Sequence, residues 1–62
     1  MRVVGYALGA EGSTLYRTDA GDFFLYPTAL GWLVVHESRE QETLASQVLP
    51  NRREAIVWVA AR

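Results

Sequence analysis

The sequence predicts an α+β fold: a small antiparallel sheet of four to five strands in a meander, with one C-terminal helix packed on one face. Three observations carry this expectation. Turn-forming clusters recur at short intervals through the first half of the chain, and the runs between them are rich in aromatic and β-branched residues. The stretch from Asn51 opens with a helix-capping pattern and continues as an unbroken apolar run.

The turn signals are Gly9-Ala10-Glu11-Gly12, then Asp19-Ala20-Gly21-Asp22, then Pro27-Thr28-Ala29 leading to Gly31. They divide off four strands, Arg2 to Leu8, Thr14 to Thr18, Phe23 to Tyr26 and Trp32 to His36, whose short connections require antiparallel neighbours. Two readings fit Ser38 to Leu49. A capping box at Ser38-Arg39-Glu40-Gln41 could open a helix with Gln41, Leu44, Ala45, Val48 and Leu49 on one face. Alternatively Ser38 to Glu42 is a hairpin loop and Thr43 to Leu49 a fifth strand. The strand is preferred, because Pro50 closes the segment and a better helix start follows at once. Asn51 is a favourable N-cap with Glu54 three residues on, so a helix is expected from about Arg52 to Arg62. Ala55, Ile56, Val59 and Ala60 share the stripe that would face the sheet, while Val57 and Trp58 flank it on opposite sides.

A chain of 62 residues has room for one core, so residues 1–62 are read as a single domain. Its composition, 50% hydrophobic and 21% charged, is that of a globular protein, and no apolar run is long enough to span a bilayer as a helix. The opening Arg2 to Leu8 lacks a cleavage pattern and reads as a strand, which gives a cytoplasmic expectation. With no cysteine and His36 as the one histidine, no familiar zinc site can be assembled within one chain. Disulfide and metal staples are thereby set aside, which leaves self-association as the remaining reinforcement for so small a domain. The net charge of −1 draws the chain toward no polyanion, and all six cations are arginines, so lysine chemistry is absent.

No catalytic, cofactor or metal residues are expected. Gly9-Ala10-Glu11-Gly12-Ser13-Thr14 lacks the lysine and following helix of a phosphate-binding loop. His36, Glu37 and Ser38 are consecutive, and strand neighbours point to opposite faces, so they cannot act in series as a hydrolytic triad. Asp19 and Asp22 read as turn residues rather than cation ligands.

The function expected is therefore binding. Phe23-Phe24-Leu25 and Leu33-Val34-Val35 are apolar at consecutive positions and offer side chains to both sheet faces, whereas one helix covers one face. An uncovered apolar surface of that kind marks an interface. The first hypothesis is a non-enzymatic, protein-binding or regulatory module, self-associating as a homodimer. Its contacts are the open sheet face with Trp58, Val57, Trp32 and Val34, and Arg52 and Arg53 at the rim. Those two arginines lie in the first turn of the helix, where the macrodipole disfavours cations and an anionic partner would be welcome. The alternative is a nucleic-acid-binding accessory protein using Arg17, Arg52, Arg53 and Arg62, with Tyr16, Phe24 or Tyr26 to stack on bases.

Gly31-Trp32-Leu33-Val34-Val35, a later strand ending at Leu49-Pro50, and Asn51-Arg52-Arg53-Glu54-Ala55 together resemble a pattern in small uncharacterised bacterial and phage domains. In these a Gly-Trp strand, a hairpin and a helix opening Thr-x-x-Glu-Ala follow one another. The resemblance covers about half of the chain, with Asn51 in place of the threonine, and implies strand-then-helix order without implying an activity.

Overall fold

The computed structural model describes residues 1–62 and contains five strands and one α-helix. The strands are β1 (Val3–Leu8), β2 (Thr14–Thr18), β3 (Gly21–Thr28), β4 (Gly31–Glu37) and β5 (Thr43–Leu49), and the helix is α1 (Arg52–Ala60). They form one antiparallel sheet in the order β1-β2-β3-β4-β5, so every strand pairs only with its neighbours in sequence. Thr43–Leu49 is thus a strand, as preferred from the sequence.

Three of the four connections share one construction. A hydroxyl residue occupies the first turn position and a residue with positive φ the fourth: Thr18 and Gly21, Thr28 and Gly31, Ser38 and Gln41, at intervals of ten residues. Thr18 Oγ1 donates to the Gly21 carbonyl at 2.7 Å and accepts from the Ala20 N–H at 3.0 Å. Thr28 repeats both bonds with Gly31 at 2.8 Å and Leu30 at 3.2 Å. In the third turn the Ser38 carbonyl accepts from Gln41 N–H at 3.0 Å, and Ser38 Oγ accepts from Glu42 N–H at 3.2 Å. The turn chemistry is therefore local, and it sets the register of each hairpin. The first connection differs, passing through a single 3-10 turn at Ala10–Gly12.

Pro27 and Thr28, which read as turn residues in sequence, are the last two residues of β3. Pro27 pairs with Trp32 next to the hydrogen-bonded turn pair Thr28–Gly31, so its missing N–H faces away from β4. The pairing of β2 with β3 has already ended at Thr14–Leu25, and no ladder bond is lost there.

The core lies between α1 and one face of the sheet. Phe23, Leu25 and Val34 from the sheet are fully buried with Ala55 and Val59 from the helix. Tyr16, Trp32, Leu49, Ile56 and Trp58 pack around them, partly exposed. Asn51 caps α1 by accepting from Glu54 N–H at 2.9 Å, as its sequence position predicts. The helix is shorter than expected, ending at Ala60, and Ala60 is exposed rather than part of the buried stripe.

Candidate partner-binding surface

Because side chains alternate along a strand, burying Phe23, Leu25 and Val34 under α1 turns Phe24, Tyr26, Leu33 and Val35 to the opposite face. Cross-strand pairing arranges that face in level rows. Ala7, Leu15, Phe24, Val35 and Ser46 are successive partners across all five strands. Tyr26, Leu33 and Val48 form the adjacent row across β3 to β5. On the other side of the central row, Arg17, Asp22 and Glu37 run across β2, β3 and β4. The face is thus apolar in its middle and charged at one end.

The one helix lies on the other side of the sheet, so no element of the chain covers these rows. Leu15, Phe24, Leu33 and Val35 are only half-buried, shielded by one another and by the backbone, and Tyr26 and Val48 are exposed. At the charged end, Val4, Arg17, Thr18, Asp22 and Arg39 line a shallow depression. Val4 reaches it through a bulge between Val3 and Gly5, which shifts the β1 register by one residue.

The residues expected to meet a partner are placed differently. Val34 is fully buried beneath α1, since the helix selects its side of β4, and it is Leu33 and Val35 that reach the open face. Trp32 is also on the helix side, half-buried and paired with Leu49. Trp58 meets Phe23 edge-on at 6.4 Å between ring centroids, and the Arg62 guanidinium lies 3.8 Å from the Trp58 ring centroid. Val57 is 55% exposed, but it belongs to the helix. The sheet stands between the helix and the open face, so Trp58 and Val57 cannot be continuous with that face. Sequence periodicity shows that both faces of β3 and β4 are apolar without showing which one the helix takes.

Arg52 is not a free rim cation. Its Nε donates to the Gly12 carbonyl at 3.3 Å and its Nη2 to Thr14 Oγ1 at 3.1 Å, with the guanidinium 6.0 Å from the Trp32 ring centroid. Arg53 beside it is exposed. The arginines of the nucleic-acid reading, Arg17, Arg52, Arg53 and Arg62, do not converge: Arg17 lies on the open face, Arg52 braces the first turn of α1 with Arg53 exposed beside it, and Arg62 stacks on Trp58 towards the other end of the helix.

His36 and Glu37 point to opposite faces, with His36 Nε2 bonded to the Ala20 carbonyl at 2.7 Å. No group of three or more histidine, aspartate or glutamate side chains is placed to hold a metal ion, and no helix is long and apolar enough to cross a membrane. No protein-family model, curated protein or solved structure matches this chain.

Proposed function

We propose that this chain is a small, non-enzymatic protein-binding module of regulatory type, working in the cytoplasm and acting by occupying a partner through the open face of its sheet. The observation that carries the reading is the uncovered apolar face centred on Phe24, with Leu15 and Val35 on either side and Leu33 in the next row. Contiguous apolar surface of this kind is disfavoured on a soluble domain unless something covers it. Aromatic anchors such as the half-buried Phe24 and the exposed Tyr26, held by neighbouring strands, contribute most to protein contacts when a partner completes their burial. Nucleic acid binding is less supported, because the arginines are dispersed and the net charge is −1.

The test compares proteins captured from native lysate by the wild type and by Phe24→Asp, with circular dichroism and thermal melting used to confirm that the variant is folded. Partners are expected to be lost from the folded Phe24→Asp variant and retained by Val57→Ser. An identical set captured by the wild type and Phe24→Asp would overturn the reading.

A further inference from the structure

We propose that the occupant of the open face is a second copy of this chain, stacked sheet on sheet about a two-fold axis parallel to β3. The inference rests on the reading of that face as a binding surface and adds the partner and its register. It comes from the charged row. Arg17, Asp22 and Glu37 are level with one another on β2, β3 and β4, giving the charge order plus, minus, minus across the three central strands. Arg17 can satisfy Asp22, its direct cross-strand neighbour, but it is two strands, or about 10 Å, away from Glu37. Asp22 and Glu37 are like charges side by side, a pairing that costs stability in an isolated sheet.

A two-fold axis parallel to β3 in the plane between two stacked sheets exchanges β2 with β4 and leaves each row at its own level. Arg17 then lies over Glu37 of the second copy, and Glu37 over the second copy's Arg17. Arg39 lines the same depression as Arg17 and Asp22, so each copy brings two cations and two carboxylates to that end of the interface. The same rotation sets Leu15 over Val35 of the second copy and brings Phe24 and Asp22 each beside its own equivalent, the isologous pattern of a two-fold interface. The paired Asp22 carboxylates are offset by Arg17 and Arg39 of both copies, which line the same depression. Two sheets stacked about 10 Å apart with strands within about 30° of each other are an established packing mode. The other in-plane axis, perpendicular to the strands, fails: it carries the charged row over the row of Tyr26, Leu33 and Val48 of the second copy, which offers no charged side chain.

The face measures about 20 by 20 Å from strand spacing and rise, a footprint of roughly 400 Å² on each copy. Standard interfaces cover about 800 Å² per partner, so the dimer falls in the small, weak and transient class.

Sedimentation equilibrium at 5 to 500 μM separates the outcomes, using the wild type, R17E, E37R and an equimolar mixture of the two variants, each checked for fold by circular dichroism. The wild type is expected to dimerise and each variant alone to dimerise at least tenfold more weakly. The mixture should recover wild-type dimerisation, because the two altered chains are complementary only to each other. A wild type that stays monomeric throughout overturns the dimer even if a variant fails to fold. Variants that dimerise as the wild type does, or a mixture that fails to recover, overturn the stacking register. A monomeric wild type whose captured partners are lost on Phe24→Asp ends this inference and leaves the binding module standing; retention of those partners ends both.

Discussion

The imidazole of His36 lies flat against the ring of Phe23, with centroids 4.1 Å apart and planes 10° from parallel, while Nε2 sits 2.7 Å from the Ala20 carbonyl oxygen. A carbonyl only accepts, so Nε2 carries the proton and donates. One side chain on β4 therefore covers the central core ring and pins the turn between β2 and β3. His36→Phe keeps the stacked surface and gives up the hydrogen bond, which should cost about 1 kcal/mol. His36→Ala removes both and should cost roughly 2–3 kcal/mol. Urea denaturation of the two variants measures the difference, and a His36→Phe variant as stable as the wild type would show that the Ala20 bond contributes nothing.

The ten-residue turn construction divides its positive-φ residues into two kinds. At Gly21 (φ 110°) and Gly31 (φ 134°) a Cβ would overlap the backbone carbonyl oxygens of Glu37 and Leu49 respectively. Backbone cannot move aside as a side chain can, so Gly21→Ala and Gly31→Ala should each destabilise by more than about 1 kcal/mol. Gln41 (φ 65°) holds the corresponding place in the third turn with a side chain in the left-handed region, where glycine is at less cost. Gln41→Gly should raise the melting temperature, with a gain of up to about 1 kcal/mol. Thermal unfolding of the three variants tests the division, and a destabilised Gln41→Gly would contradict it.

Arg52 is a brace between the first turn of α1 and the connection from β1 to β2. Thr14 is buried, and its hydroxyl donates to the Gly12 carbonyl at 3.1 Å while accepting from Arg52. Arg52→Met keeps much of the aliphatic length and loses both charge-assisted guanidinium bonds, one of them to a part-buried hydroxyl. A loss of about 1–3 kcal/mol is expected. Hydrogen exchange should report it first at the Ala10–Gly12 turn and the start of α1; exchange accelerated evenly along the chain would point to a general packing defect instead.

The strand order and helix were legible because their signals are local. Hydroxyl and glycine turn residues, β-branched runs and the Asn51 cap each act within a few residues. The regular spacing of Thr18, Thr28 and Ser38 is also present in the sequence, though it emerges only when residues are aligned by turn position. The side of the sheet taken by each apolar residue was less accessible. Leu33, Val34 and Val35 are chemically alike, and burial of the middle one follows from the docking of Ala55 and Val59 some twenty residues later. The role of Arg52 depends on Gly12 and Thr14, about forty positions earlier, and no local rule links them. The charged row needed the register itself, because Arg17, Asp22 and Glu37 become neighbours only once both hairpins are paired.

An uninterrupted meander also keeps every strand pairing local along the chain. Each hairpin closes a short loop and can form with little entropic penalty, and successive strands add to an existing edge without waiting for a distant segment. The return of α1 over β3 and β4 is the long-range event that converts a ribbon of hairpins, greasy on both sides, into a domain with one sealed side. Until that docking occurs, both sides of the growing sheet are open and the chain is at its most vulnerable to clumping.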